Sequence, residues 1–307
     1  SRARPRSPGA DAGADGGAAS APVRAWVRVQ LGPPGGFAGG RLDLRVYVPE
    51  GLTILGQTKD AASAGADGEI GYRIDTFFNA VYDLVGLDRG EVTFVPAPAS
   101  LARIEGEAEL FDAFALADTD AQVLHVALTN AIELGDDAAW GIAPGIPGAA
   151  LRPSTVMSSV VLAIGETPPE GDGLTLLHEA GHFFGLNHTT EFVGGYADPL
   201  SDTHECAGLQ ADTPQSLFGC PDRFNLMFPA YYATAKTRVE LSPGQLRVLR
   251  GSPVYRAYRD PLPAGGAMMR APARAVLGAP RSLARSGRAL TATESLVAST
   301  LCPHERV

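Results

Sequence analysis

Three histidines between residues 178 and 188 constrain the fold of this chain more than any other feature of its sequence. His178 and His182 are four residues apart, so on an α-helix their side chains lie one above the other on a single face. If that helix continued, His188 would lie roughly 9 Å further along its axis than His182. The three rings can approach one point only if the helix ends between them. Gly185 is where it can end, because glycine adopts the left-handed conformation of helix C-termini at little cost.

The same segment carries a pattern of metal-binding chemistry. Residues 178–188 match H-E-x-x-H-x-x-G-x-x-H in full. Three imidazole nitrogens that converge on one point are typical zinc ligands, and they leave open the fourth position that a catalytic zinc needs. Glu179 follows the first histidine, so its carboxylate is expected beside the site, where it can take a proton from a metal-activated water. The alternative is a helix with surface histidines and no metal, which the full match disfavours.

The sequence resembles the metzincin clan of zinc metalloproteases, and within it the pappalysin/cytophagalysin type of secreted bacterial enzymes. The resemblance is specific over residues 176–253 and loose before them. Beyond the histidine motif it rests on three further features. Residues 225–228 (Asn-Leu-Met-Phe) look like the Met-turn, residues 241–249 resemble the last helix of such domains, and Cys206 and Cys220 flank an Asp-Thr-Pro-Gln segment.

The resemblance implies a fold and a set of site residues. The fold is α/β (α+β): a metzincin-like catalytic domain whose twisted, mixed, mostly parallel sheet and two long helices stand above an irregular lower subdomain. The substrate cleft lies between the two parts. The resemblance assigns the zinc ligands to His178, His182 and His188, the general base to Glu179, and the floor of the site to Met227.

One position departs from the family pattern. Relatives often place a tyrosine two residues after the methionine of the Met-turn, but here that residue is Pro229. Tyr231 or Tyr232 is therefore expected to contact the substrate or the transition state instead.

These residues predict a zinc-dependent endopeptidase that hydrolyses peptide bonds through a metal-activated water, with a protein or peptide as its substrate. Two alternatives stay open: a catalytically silent zinc-binding adhesion or binding module, and a zinc hydrolase of a non-peptide amide or ester. The intact Glu179 argues against the silent module.

The net charge of −9 offers no electrostatic footprint for nucleic acid, and no apolar run approaches the roughly 20 residues of a membrane helix. The oligomeric state is not readable from the sequence.

Cysteine usage bears on the compartment. We expect Cys206 and Cys220 to form a disulfide, although two free buried thiols are the alternative. A disulfide implies an oxidising compartment and hence a secreted, extracellular chain. Cys302 is left without a partner, and no role is assigned to it.

Several other polar residues have both a functional and a structural interpretation. Four loop carboxylates could bind a structural calcium ion, which prefers oxygen ligands, or could be solvated residues that cap turns. They are Asp198, Asp202, Asp212 and Asp222. His125 falls on an apolar stretch and is predicted to be a core residue. His204 is predicted to lie on a surface loop, with contact to substrate as the alternative.

The domain organisation follows from composition and periodicity. Residues 1–22 are predicted to be a disordered leader, a candidate cell-surface tether, and residues 264–307 a weakly ordered Arg/Ala-rich tail. The catalytic domain spans 23–263, with an upper subdomain over about 23–187 and a lower one over about 188–263. Within it we predict a hairpin of strands 23–31 and 41–48, a helix over 70–87, and a strand over 154–165 that forms the edge of the cleft.

Overall fold

A computed structural model describes residues 36–135, 137–164, 169–191, 198–206, 218–229 and 239–258. Its strands are β1 (Gly40–Pro49), β2 (Thr53–Ile54), β3 (Gln57–Thr58), β4 (Leu87–Ala97), β5 (Leu124–Thr129), β6 (Ile132–Leu134), β7 (Asp137–Ala139), β8 (Gly141–Ile142), β9 (Val160–Ala163) and β10 (Arg256–Ala257). Its helices are α1 (Ala61–Ala64), α2 (Gly68–Val85), a 3₁₀ turn (Ala99–Ala102), α3 (Glu107–Phe114), α4 (Pro169–Phe184) and α5 (Pro243–Arg250). None of these helices combines the length and the apolar character needed to cross a membrane.

The main sheet is mostly parallel. Strands β4, β1, β5 and β9 lie side by side in that order and all run in the same direction. Strand β8 adds antiparallel to β9 at one end, and β10 pairs antiparallel with the start of β1. The predicted mixed, mostly parallel sheet with two long helices is confirmed.

Side chains that alternate along the strands bury two separate apolar layers. On one face the even-numbered residues of β1 from Leu42 to Val48 pack with α2 and α4 in the larger core. On the other face Ala127 and Val161 pack with α3 and the 3₁₀ turn in a second core. Helix α4, which carries His178 and His182, therefore lies against the sheet and beside α2.

Helix α2 begins and ends where its sequence requires. The Asp67 carboxylate accepts hydrogen bonds from the backbone N–H groups of Glu69 and Ile70, which would otherwise lack partners at the helix start. Gly86 ends the helix with φ of 81°, a left-handed conformation that glycine adopts without steric cost. The helix predicted over 70–87, with its buried apolar stripe, is confirmed.

The strand predicted over 154–165 is wrong in its extent and in its place in the sheet. Of the described residues 154–164, only Val160–Ala163 form a strand, because Thr155 and Ser158 hydrogen-bond each other in a tight turn before it. Strand β9 also pairs on both sides, with β5 and β8, so it is not the edge of the sheet. The first strand of the predicted hairpin, 23–31, lies outside the described residues, and β4 and β5 occupy both sides of β1 over Leu44–Tyr47.

A buried ion pair joins α2 to the first turn of α4. Nε of Arg73 donates to a carboxylate oxygen of Asp172 at 2.5 Å, and both side chains are almost fully buried. The same guanidinium donates to the backbone carbonyl and the carboxylate of Glu69, at 2.9 and 3.1 Å. Removing one member of such a pair leaves an uncompensated buried charge, which costs far more than the pair itself contributes.

We expect Arg73→Ala to lower the free energy of unfolding by about 3–5 kcal/mol, because the buried Asp172 carboxylate would then lose the cation that compensates its charge. Denaturant unfolding measures the loss. Arg103→Ala is the matched control, because its pairs with Glu105 and Glu133 lie at the surface, where ion pairs contribute little. Equal effects of the two substitutions would contradict a special role for the buried pair.

His125 is a core residue, as its apolar surroundings predict. Its side chain lies on β5 against Tyr47, whose hydroxyl is 2.9 Å from Nδ1 of the imidazole. Burial lowers the pKa of His125 to about 4, partly opposed by the nearby carboxylate of Asp118. The folded protein therefore binds this proton at lower pH than the unfolded chain does.

Stability should fall as pH drops from about 6.5, where the unfolded chain begins to protonate His125, towards about 4, where the folded chain does so. At pH 4.5 this residue should cost about 2–3 kcal/mol relative to pH 7.5. Urea unfolding of metal-stripped protein at the two pH values measures the loss. His125→Gln should lose less stability than the parent over this interval, and an identical loss in both would refute the assignment.

Candidate metal centre

Two of the motif histidines lie on one face of α4, near its C-terminal end. His178 and His182 are four residues apart, and their ring centroids are 4.8 Å apart in an edge-to-face arrangement. His182 is almost fully buried, and Phe183 on the following position packs into the core. The helix thus presents two imidazoles in the same direction while its other side is fixed by apolar packing.

The helix ends at Gly185, as the spacing predicts. Gly185 has φ of 116°, and its backbone N–H donates to the His182 carbonyl at 2.9 Å. The N–H of Leu186 donates to the Gly181 carbonyl, also at 2.9 Å. These two bonds form a Schellman motif, which satisfies helix carbonyls that would otherwise lack partners and reverses the chain. The reversal brings His188 back towards the two helical histidines.

The three imidazoles converge through the same ring atom. Nε2 of His188 lies 3.1 Å from Nε2 of His178 and 3.0 Å from Nε2 of His182. A tetrahedral zinc with bonds of 2.0–2.1 Å would hold its nitrogens about 3.3 Å apart, so these separations are within a few tenths of an ångström of the requirement. Within the described ranges, this is the one group of three or more His, Cys, Asp or Glu side chains that could hold a metal ion.

The other nitrogen of each ring faces an oxygen that can only accept. Nδ1 of His178 donates to the Leu226 carbonyl at 2.7 Å, and Nδ1 of His182 donates to the Leu186 carbonyl at 2.8 Å. Nδ1 of His188 lies 3.0 Å from a carboxylate oxygen of Glu191. With the protons on Nδ1, all three Nε2 atoms carry lone pairs that point at one another. Three facing lone pairs are stable only around a cation, so the donor set fits a metal such as zinc.

Burial keeps the two helical histidines neutral in the metal-free chain. Burial, with a smaller contribution from the neighbouring His188, lowers the pKa of His178 to about 3, although the hydrogen bond to the Leu226 carbonyl opposes the shift. The pKa of His182 is also well below its ordinary value, for the same two reasons and because His178 is close. Neutral imidazole is the form that binds a metal.

The predicted Met-turn lies directly beneath α4. Met227 is fully buried, and a methyl group on Gly181 would come within 2.6 Å of its sulfur. Sequence reasoning missed this role of Gly181. The Met227 N–H donates to the Asn225 side chain at 2.9 Å, and the Asn225 amide exchanges two hydrogen bonds with the amide of Gln245.

Gln245 connects the Met-turn to helix α5. It belongs to a capping box, in which the Ser242 hydroxyl accepts from the Gln245 N–H and the Gln245 amide oxygen accepts from the Ser242 N–H. The Gln245 side chain is completely buried, and its contact with Asn225 has no signal in the local sequence.

Glu179 is buried against strand β8. A side chain on Gly141 would come within 2.7 Å of the Glu179 Cγ atom, so the absence of one makes room for the carboxylate. Burial raises the pKa of Glu179 to about 8, against the opposing effect of the Ala143 backbone N–H. Nothing in the sequence around Gly141 marks this contact, because the two residues are far apart along the chain.

Three further sequence predictions concern the disulfide, His204 and the two tyrosines. Cys206 and Cys220 form a disulfide with a Cα–Cα distance of 5.9 Å, so the alternative of two free thiols is wrong. His204 is exposed, as a surface-loop residue should be. Tyr231 and Tyr232 lie outside the described residues, and their contact with substrate stays a prediction.

The proposed calcium ligands are only partly within the described chain. The Asp202 carboxylate accepts hydrogen bonds from the Ser242 hydroxyl and the Gly244 N–H, at 3.0 and 2.7 Å, at the start of α5. Burial raises the pKa of Asp222, and the nearby Asp198 carboxylate contributes in the same direction. Asp212 lies outside the described residues. Calcium binding by this loop stays a prediction.

Comparison with known proteins adds little to these observations. No model of a known protein family matches the chain, and no curated protein sequence matches it. Among solved structures, the chain is similar to the crystal structure of archaemetzincin from Methanopyrus kandleri, with 18% sequence identity over 73% of this chain and 91% of that one. The TM-score of this likeness is 0.35, so it carries no argument about the metal centre.

We expect His182→Ala to weaken zinc binding by more than about 100-fold, which is the upper range for residues that only support a ligand. Zinc content after dialysis and competition with a chromophoric chelator measure the change. His204→Ala should leave zinc binding unaltered, because that imidazole is exposed and is not part of the three-histidine group. Equal affinities for all three proteins would rule out this site as the metal centre.

Proposed function

We propose that this chain is a zinc-dependent endopeptidase. The observation that carries the proposal is the convergence of three Nε2 atoms, each on a ring whose Nδ1 is already hydrogen-bonded, next to the buried carboxylate of Glu179. Three histidine ligands leave a fourth position for water or substrate, which is the arrangement of catalytic rather than structural zinc sites.

The chemistry divides between the ion and the protein. A bound zinc would polarise the scissile carbonyl and lower the pKa of a water molecule towards neutrality. The Glu179 carboxylate accepts a proton from the attacking water and returns it to the nitrogen of the leaving amine. His178, His182 and His188 hold their protons on Nδ1 throughout, because the acceptors of those protons are fixed.

The sheet offers an edge for an extended peptide. Strand β9 lies in the stretch that the sequence predicts to form the edge of the cleft, but this strand is paired on both sides. Strand β8 lies at the end of the described sheet, and Gly141 in this strand contacts Glu179. A peptide that hydrogen-bonds to β8 as an additional strand would therefore pass beside the general base. Such binding favours an unfolded segment or a loop as the substrate.

The disulfide supports a related proposal about location. Disulfides persist in oxidising compartments, so Cys206 and Cys220 favour secretion of the protein. The pappalysin/cytophagalysin type within the metzincins likewise stays a prediction from the sequence motifs.

The function is tested with a library of quenched fluorescent peptides and zinc-loaded protein. We expect Glu179→Gln to keep its zinc and to lose about 10²–10⁴-fold in turnover, because the amide cannot accept the proton. Glu205→Gln is the charge-matched control, because that carboxylate is exposed and should leave cleavage unaltered. A chelator should stop cleavage by the parent protein, and added zinc should restore it.

The same experiment separates the alternatives. Equal cleavage by the parent and Glu179→Gln would exclude Glu179 as the base. Zinc-loaded protein that cuts model esters or non-peptide amides but no peptide would identify a different zinc hydrolase. Zinc-loaded protein that cuts none of them would favour a silent binding module.

A further inference from the structure

The three histidines are not oriented in the same way. Backbone carbonyls hold two of the rings: the Leu226 carbonyl accepts from His178, and the Leu186 carbonyl accepts from His182. His188 instead faces the Glu191 carboxylate, with 3.0 Å between Nδ1 and the carboxylate oxygen. The third ring therefore depends on a side chain, whereas the other two depend on the fold of the backbone.

We propose that Glu191 is a positioning residue for the metal centre. Its carboxylate holds the His188 proton on Nδ1 and keeps Nε2 directed at the other two rings. It also places a negative charge next to one ligand. This inference rests on the proposed function in one respect only, namely that the three histidines bind zinc.

The chain between His188 and Glu191 is anchored so that this contact can form. The Thr189 N–H donates to the Met227 carbonyl at 3.0 Å, which ties the segment to the Met-turn. The Thr190 hydroxyl accepts from the Cys206 N–H at 2.9 Å, which ties it to a half-cystine of the disulfide. Because both intervening residues are held, Glu191 is carried back over His188 at a separation of three residues.

The surroundings make this contact stronger than an ordinary surface pair. The His188 side chain is 9% exposed and that of Glu191 is 22% exposed, so water screens their interaction only in part. His188 lies in no helix or strand, so no regular element fixes its ring.

Charge supplies the second part of the effect. Imidazoles bind a metal in their neutral form, so a divalent ion held by three of them keeps its full charge of two. A carboxylate hydrogen-bonded to one ligand offsets part of that charge and makes the imidazole a stronger donor. Loss of such a partner typically weakens metal binding by about 10–100-fold.

The test measures the zinc dissociation constant of the full chain by competition with a chromophoric chelator. We expect Glu191→Ala to bind zinc about 10–100-fold more weakly than the parent. Glu191→Gln should give an intermediate loss, because its amide oxygen still accepts from Nδ1 but carries no charge. Glu205→Gln removes an exposed carboxylate from the same stretch of chain and should change the constant by less than about twofold.

A spectroscopic readout separates positioning from stability. In the metal-free parent, nitrogen chemical shifts of His188 should report the proton on Nδ1, and Glu191→Ala should shift the population towards the other tautomer. The d–d absorption of the cobalt(II)-loaded protein should change with Glu191→Ala and partly recover with Glu191→Gln. Thermal unfolding of the metal-free variants should match that of the parent.

Parent-like zinc affinity in Glu191→Ala would overturn the inference. So would a loss in Glu205→Gln as large as that in Glu191→Gln, because charge alone, without contact, would then explain the effect. The proposed function fails separately: a parent protein that binds zinc tightly through these histidines but cleaves no peptide would overturn the peptidase and leave the role of Glu191 intact.

Discussion

The metal centre depends on the hydrogen bonds that hold the outer nitrogens of the three imidazoles. Each ring could rotate or carry its proton on either nitrogen, and only one arrangement directs all three lone pairs at one point. The Leu186 and Leu226 carbonyls and the Glu191 carboxylate select that arrangement. Leu186 and Glu191 flank His188 in the chain, whereas Leu226 comes from a later segment, so the geometry of the site depends on how these two segments are held together.

Two of the acceptors are backbone groups whose positions follow from local structure. The Leu186 carbonyl follows the Schellman motif that ends α4 at Gly185. The Leu226 carbonyl belongs to residues 225–228, the segment predicted to be a Met-turn, which the paired amides of Asn225 and Gln245 join to α5. The capping of a helix late in the chain thus contributes to the position of a candidate zinc ligand. Buried amide pairs of this kind are effective because each unsatisfied partner would be costly.

The main sheet and helix α2 support the helix that carries His178 and His182. Helix α4 packs on the sheet and on α2, and the Arg73–Asp172 pair fixes its first turn from within the core. Strand β8 then brings Gly141 against Glu179, so the proposed base lies beside the end of the described sheet. The proposed general base on α4 and the strand proposed to bind peptide are therefore in contact.

The sequence by itself determined the metal chemistry, because the spacing of His178, His182 and His188 and the glycine between them admit few other structures. It also determined α2 and the cap of α5, since caps and apolar periodicity are local. Tertiary structure alone decided that β9 lies inside the sheet and that β8 is the last strand of its described part, because strand pairing joins residues far apart in sequence. It likewise decided the roles of Gly141 and Glu191, since packing and hydrogen bonds in three dimensions leave no trace in local sequence patterns.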